Sequence, residues 1–362
     1  MRRAPYGSCL ECDASRSFAG RDIIDGMLLP DVLFRIAILA AAAVALVSIA
    51  SIFLFFPRDL DPQRDASHET RGFYSKAHSS GAGSRGETIT SAVEPLSARE
   101  QFYVDLARDA AVRSQVPELI QDFVQRYGLQ RKKVLEVGAG SGLLQDAAPD
   151  YTGLEFSPTA RRFFHKPLVE ASATGMPFRD NSFDGLWSVW VLEHIPSPER
   201  VLREMRRVVK PGGYLFLMPA CSVSRYAAGG YRVRPYADFG WKGKLIKASG
   251  QLVESLPFRT LYSPQIKMIR SFGARWGSGP SRLRFVRLAP NYDQYWESDS
   301  DAVASITKHE LYLWFTTRGD HCLNCPAETK LIVRGDPTPY LIVQVAKRDV
   351  GPQRNAAATA LR

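Results

Sequence analysis

The longest apolar run in the chain, Ile36 to Phe56, carries no charge and is interrupted only by Ser48 and Ser51. A helix needs about 20 apolar residues to cross a bilayer, so this run predicts a transmembrane anchor. A cleaved signal peptide has an apolar region of about 7–15 residues close to a basic start, and this run is longer and begins later. No polar face breaks it, which argues against a buried core helix. The pattern then changes. Residues 57–97 are rich in Ser, Gly, Arg and Asp and predict a flexible tether. Helical spacing follows from Ala98 to Tyr127, with a break at Val116-Pro117, apolar positions Leu119, Ile120, Phe123 and Val124, and a stop at Tyr127-Gly128.

Short strand and helix patterns occupy the middle of the chain. Val134, Leu135 and Val137 predict a buried strand, and Tyr151 to Glu155 a second. The crossover between them leaves room for a helix of about two turns. Ser157-Pro158 starts another helix with Pro at its first position. Gly185 to Leu192 is almost continuously apolar, as in a parallel strand covered on both faces. Ser197 caps a helix to Val209, with Pro198 first and Glu199 set for the helix dipole. Val201, Leu202, Met205, Val208 and Val209 point inward, while Arg203, Arg206 and Arg207 form a solvated face. Lys210-Pro211-Gly212-Gly213 leads to a strand over Tyr214 to Met218. Near the end, His309 to Thr317 predicts a helix stopped by Gly319. Lys330 to Arg334 and Tyr340 to Val345 predict an antiparallel pair around Gly335-Asp336-Pro337-Thr338-Pro339.

The chemistry concentrates at Val134 to Gly142, where glycines stand at 138, 140 and 142 and Glu136 precedes them. Glycine is required where a strand-to-helix turn takes unusual dihedrals or a ligand approaches the backbone, and amides at the following helix start face that ligand. The spacing is G-x-G-x-G; position 143 is Leu, so the dinucleotide fingerprint G-x-G-x-x-G fails on its third glycine. The stretch resembles the first motif of class I S-adenosylmethionine-dependent methyltransferases. Met176-Pro177-Phe178, then Asn181-Ser182-Phe183-Asp184, Glu193-His194-Ile195 and Lys210-Pro211-Gly212-Gly213 follow in the order of the methyltransferase type 11 group. The resemblance covers roughly residues 130 to 220.

That resemblance implies an α/β fold, a Rossmann-like seven-stranded sheet with helices on both faces, and S-adenosyl-L-methionine as cofactor. It implies that Glu136, Gly138, Ala139, Gly140 and Gly142 wrap the methionine end of the cofactor. Glu155, followed by Phe156, becomes the carboxylate that accepts both ribose hydroxyls; two acceptor oxygens suit a vicinal diol. Relatives carry an Asp at the position of Ser172, where it contacts the adenine amine. A hydroxyl can still bond that amine without a charge, and the backbone around Ala173 and Thr174 can share the task. Glu193 and His194 end the strand at the carboxyl edge where ligands sit, with Trp190 beside them. His194 is the candidate base, and Glu193 positions the substrate or orients a neighbour.

Charge extends the picture. The chain has 362 residues and a net charge of +10. From Cys221 to Pro290 there are 13 Lys or Arg against Asp238 and Glu254, a difference of 13 − 2 = +11. Tyr226, Tyr231, Tyr236, Phe239 and Trp241 interleave with these cations. The mixture could bind nucleic acid, anionic lipid or a phosphorylated substrate, and the anchor favours the last two. Nucleic acid is not expected as a partner, since no Asn-Pro-Pro-Tyr-type motif follows the fourth strand, where Glu193-His194-Ile195-Pro196 stands. Five cysteines form no disulfide framework, and Cys322-x-x-Cys325 with His321 supplies too few ligands for zinc, so no metal is expected.

The expected organisation is a polar segment over 1–31, an anchor over 32–56, a linker over 57–97, and a methyltransferase core over 98–220. A basic insert or substrate region follows over 221–308, then the closing helix and hairpin over 309–350 and a disordered tail over 351–362. The expected activity is methyl transfer to an oxygen or nitrogen of a small-molecule, lipid-linked or glycan acceptor by a single-pass membrane protein facing the cytoplasm. The rivals are a non-catalytic membrane scaffold with the same fold and a nucleic-acid methyltransferase.

Overall fold

The computed structural model describes residues 33–50, 59–60, 98–224, 226, 230–288, 290, 299, 301–334 and 338–346. The chain divides into two units, 1–56 and 57–362. In the first, Leu33–Ala50 is an 18-residue helix long and apolar enough to cross a membrane. The end of the expected span, 51–56, lies outside the described residues, as do residues 1–32 and the tail from 347. Of the expected linker, residues 61–97 also lie outside. Asp59–Leu60, however, is a strand.

The second unit begins with α1 (Ala98–Arg113) and α2 (Val116–Arg126), broken where Gln115 turns left-handed before Pro117. The strands β1 (Val134–Val137), β2 (Tyr151–Glu155), β3 (Leu168–Glu170) and β4 (Phe183–Val189) follow, then α3 (Pro198–Val208) and β5 (Val209–Met218). Beyond them are α4 (Trp241–Glu254), α5 (Leu256–Trp276), β6 (Arg284–Arg287), β7 (Ala304–Ser305), α6 (Lys308–Thr316), β8 (His321–Cys322), α7 (Glu328–Val333) and β9 (Leu341–Gln344).

Seven strands form one sheet in the order β3-β2-β1-β4-β5-β9-β8. The first five are parallel, with Val134 opposite Tyr151 on one side and Gly185 on the other. β9 runs antiparallel to β5, Leu341 facing Leu217. The order in which successive strands are added reverses between β1 and β4, and such switch points open a crevice at the carboxyl ends of the strands. Two apolar layers enclose the sheet. Val201, Leu202 and Met205 of α3 pack with Leu311, Trp314 and Phe315 of α6 and with Leu135 and Val137. Ile120, Phe123 and Val124 of α2 pack with Val134, Trp187 and Phe216. This is the doubly covered α/β sheet expected. A smaller antiparallel sheet joins Asp59–Leu60, β6 and β7.

Several local expectations are corrected. Lys330–Val333 is helical, in α7, and β9 has β8 as its second antiparallel neighbour, with Val343 opposite Cys322. The apolar triplet at 331–333 suits a strand locally, but tertiary contacts decide. Lys267 of α5 donates to the Leu331 carbonyl, and Arg275 pairs with Glu328 at 2.6 Å. The crossover after the glycines is one short turn, Gln145–Ala147, because the Gln145 amide bonds Gly142 O and Phe163 O and pins the chain there. Ser197 makes no side-chain cap; its buried hydroxyl has no hydrogen-bond partner. Glu199 is buried and accepts from Trp314 Nε1 at 3.1 Å.

Two of the three arginines assigned to a solvated face are structural. Arg206 pairs with Asp320 at 2.7 Å, and Arg207 bonds Glu204, Asp180 and the Phe178 and Met176 carbonyls. The basic region is partly internal too. Lys247 is buried and donates to Tyr231 O and Arg232 O, while Arg270 pairs with buried Glu310 across α5 and α6. Cys322 and Cys325 form a disulfide, which removes both thiols from metal binding.

Candidate active site

A cavity of about 310 Å³ opens at the carboxyl ends of β1, β2 and β4. It lies in the volume range of small-molecule sites. Gly138, Gly140, Leu154, Glu155, Phe156, Ser172, Ala173, Thr174, Trp190 and His194 line it.

The glycine loop shapes one wall. Gly138, Gly140 and Gly142 have φ of +73°, +51° and +70°, a region that disfavours L side chains. Their surroundings differ. A Cβ on Gly138 would stand 2.2 Å from Val191 Cγ2, and one on Gly142 would stand 2.8 Å from Gln145 Nε2. A Cβ on Gly140 would meet nothing within 4 Å, so this backbone faces open space. Gly138 N and Ala139 N both donate to Leu154 O, which locks the loop to β2.

Glu155 completes that wall. Oε2 accepts from Gly140 N at 2.8 Å; Oε1 accepts from Phe156 N at 2.7 Å and Ser157 N at 3.0 Å. The carboxylate is thereby aimed without a cation. On the far side Ser172 Oγ and Thr174 Oγ1 lie 2.8 Å apart, and Thr174 N donates to Ser172 Oγ. Trp190 takes φ +54° and its N–H donates to Met218 O at 2.8 Å. An aromatic residue held in the left-handed region at the end of a buried strand is the kind of strain that concentrates at functional sites. Helix α1 reaches the same mouth: Ala107 lines it, and Arg108 Nε donates to Ser141 Oγ at 3.0 Å.

Four candidate residues do not line the cavity. Glu136 is buried behind the loop, where its carboxylate accepts from the Tyr151 hydroxyl, and burial pushes its pKa up to about 8. Ala139 is buried and Gly142 packs against Gln145. Glu193 is fully buried. Its Oε1 accepts from Ala220 N at 3.0 Å, its backbone carbonyl accepts from Val303 N at 2.8 Å, and burial raises its pKa. Glu193 thus ties the end of β4 to the end of β5 and to the segment before β7. Nearby, burial pushes the Cys221 thiol up to about 12, away from thiolate chemistry.

His194 lines the cavity, and its Nδ1 lies 3.7 Å from Asp301 Oδ2. Glu193, His194 and Asp299 bring ligand atoms within 4.8 Å of one another, a donor set of the type that can hold a metal ion. Sequence reasoning missed Asp299 and Asp301. The available signal was the acidic run Glu297 to Asp301, at the end of an otherwise basic region.

The methyltransferase-domain family model matches residues 135–217, the stretch from β1 to β5 that builds this cavity. The chain carries a methyltransferase domain. It is of the type 11 group of class I S-adenosylmethionine-dependent methyltransferases, and S-adenosylmethionine is the cofactor of that domain. An uncharacterized methyltransferase of Mycobacteroides abscessus is 36% identical over 33% of this chain and 51% of that protein. A ubiquinone biosynthesis O-methyltransferase of Pseudomonas aeruginosa is 34% identical over 26% of this chain and 46% of that protein. A solved structure of a possible histamine N-methyltransferase from Thermotoga maritima shares 26% identity over 33% of this chain and 58% of that one, with a TM-score of 0.29, too slight a likeness to argue from. The chain spans about half the length of the curated relatives it matches.

The cavity fits the cofactor by its own chemistry. Gly140 leaves the backbone open to close approach, Glu155 presents a carboxylate to a diol, and Ser172 with Thr174 offers uncharged donors and acceptors to an adenine edge.

Proposed function

We propose that this chain is a membrane-tethered methyltransferase that transfers a methyl group to an oxygen or nitrogen of a small-molecule, lipid-linked or glycan acceptor. The observation that carries the reading is the convergence of Gly140, Glu155 and His194 on one cavity at the sheet's switch point. The cofactor supplies a methyl carbon on a sulfonium, an already activated electrophile. The protein's contribution is therefore mainly positioning. With the cofactor bound, Glu155 would hold the ribose and the glycine loop would admit the methionine portion, with Trp190 and His194 bordering the space for the acceptor.

An acceptor hydroxyl must lose its proton as the new carbon–oxygen bond forms. In this reading His194, which lines the cavity, takes it. The Asp301 carboxylate stands 3.7 Å from Nδ1, beyond hydrogen-bond distance, and in this reading its charge favours the proton on that nitrogen and leaves Nε2 to accept from the substrate. Asp301 is a positioning residue in this scheme, and Glu193 holds the segments that carry both groups.

The membrane part of the reading rests on Leu33–Ala50, with the catalytic domain on the cytoplasmic side where the cofactor is made. The lipid-linked acceptor class rests on that helix and on the basic region 221–290. The decisive experiment has two arms. Calorimetry of the full chain with S-adenosylhomocysteine should show saturable binding. Incubation with labelled S-adenosylmethionine and a membrane extract should label a lipid-soluble product, with turnover lowered in His194→Gln. Absence of binding would overturn the assignment. Unchanged turnover in His194→Gln would remove the base while leaving the cofactor site.

A further inference from the structure

We infer that helices α4 and α5 form a membrane-docking surface, separate from the apolar helix at the N-terminus, that lies in the lipid interface with its apolar stripe buried among acyl chains. The membrane part of the reading above motivates it; its methyl-transfer chemistry does not enter.

The stripe is read directly from exposure. On α4, Trp241, Leu245 and Leu252 fall on one face at helical spacing and are 69%, 62% and 61% exposed. Leu256, at the junction, is 76% exposed, and on α5 Phe272 and Trp276 are 59% and 71% exposed. The Phe272 and Trp276 rings stack 3.8 Å apart, so the two present a single apolar surface. Scattered exposed apolar residues need no explanation, but groups of large ones on one face of each of two successive helices mark an interaction site.

Charge selects the occupant. Lys242, Lys244 and Arg259 are exposed along the same helices. The one acid on either helix is Glu254, which is half-buried and engaged by Arg232 at 3.2 Å and by Ser224 Oγ. A second copy of this chain would bring cations against cations. An anionic lipid surface complements them and takes up the apolar row at the same time. Large apolar side chains on one face with Lys and Arg beside them, and Trp at both ends, match the composition of interfacial helices. Along the sequence, residues 51–58 separate the apolar helix from Asp59, whose backbone pairs with Phe285 of β6.

The test uses the full chain reconstituted in phosphatidylcholine vesicles whose acyl chains carry bromine, with and without phosphatidylglycerol. Leu33–Ala50 contains no tryptophan; of the six in the chain, Trp187 and Trp314 are in the protein core and Trp190 lines the cavity, so quenching by the lipid reads the fold and not the anchor, and its loss in Trp241→Phe/Trp276→Phe separates the stripe from Trp296. Tryptophan emission should be quenched relative to unbrominated vesicles, more strongly with phosphatidylglycerol. Trp241→Phe/Trp276→Phe should abolish most of that quenching. Leu245→Lys/Phe272→Lys, which keeps both tryptophans, should weaken it at an unchanged melting temperature. Quenching that is absent in the parent chain, or retained in Trp241→Phe/Trp276→Phe, would overturn the proposal. So would a Leu245→Lys/Phe272→Lys variant that changes oligomer size instead of quenching, since the stripe would then be a protein interface. Protein that floats with vesicles but is not quenched would keep the anchor and refute the stripe. Quenching without S-adenosylhomocysteine binding would keep the stripe and refute the catalytic reading.

Discussion

Glu155→Ala separates the cofactor-binding role of this carboxylate from its structural one. In the free protein the carboxylate accepts three backbone N–H groups, from Gly140, Phe156 and Ser157. A carboxylate has roughly four acceptor positions, so a ribose diol must share or displace one of these bonds, and Gly140 N, the most exposed donor, is the one that yields. Removing the side chain leaves three amides to water, which costs about 1–2 kcal/mol because only two are partly buried. It also removes the charged acceptor of two hydrogen bonds that the ligand hydroxyls would donate. At about 1.5–3 kcal/mol each, less what the amides regain, the net loss is about 3 kcal/mol, or ~100-fold in Kd. Glu155→Gln should fall between. Whichever way its amide flips, the NH2 group faces a backbone N–H, so it keeps one acceptor oxygen and adds a donor clash. The assay is calorimetry with S-adenosylhomocysteine alongside a thermal melt of each variant. A Kd for Glu155→Ala within about twofold of the parent, at ~1.4 kcal/mol per tenfold, would refute the diol role. A loss of binding that appears only where the variant has melted would refute it equally.

Three further outcomes follow from the geometry. Gly138→Ala should lower stability by well over the ~1–2 kcal/mol of a left-handed alanine, because its Cβ would press on Val191, whereas Gly140→Ala should cost only that strain and lose cofactor affinity instead; denaturant titrations beside calorimetry distinguish the two. Glu136, with a folded pKa of about 8 against 4.5 when unfolded, holds its proton in the native state, so its contribution is complete below about pH 4.5 and lost as pH rises through 8; Glu136→Gln should flatten that decline in urea-unfolding free energy measured between those limits. Arg270→Ala strands the buried Glu310 carboxylate and should destabilise the chain by about 3–5 kcal/mol, while Arg270→Met/Glu310→Leu should restore most of it in the same unfolding assay.

Sequence alone determined the elements whose cause is local. The period-2 and continuous apolar runs of β1, β2 and β4, the helical stripes of α2 and α3, and the glycine spacing each answer to backbone sterics and nearby burial. The sheet and the cavity at its switch point follow from them. Gly140, Glu155 and His194, which the motif singled out, line one cavity, because a parallel sheet brings successive strand ends to one edge. What needed the tertiary structure was every question of who faces whom. Glu136 and Glu193 look like site acids in sequence, but neither lines the cavity: one is spent on Tyr151, and the other is buried behind His194 with Oε1 on Ala220 N. Asp301 stands over a hundred residues from His194 in a region read as basic, and folding of β7 beside the end of β4 is what joins them. The segment at 330–333 has strand-like composition yet becomes helical, since contacts from Lys267 and Arg275 outweigh a propensity difference of a few tenths of a kcal/mol per residue. Lys247 and Arg270 count as surface charge in a sum over sequence but sit inside, and the apolar row on α4 and α5 is invisible until burial of the opposite face shows which side chains were left outside. Local periodicity encodes the elements; long-range contacts, which no short window contains, decide the partners.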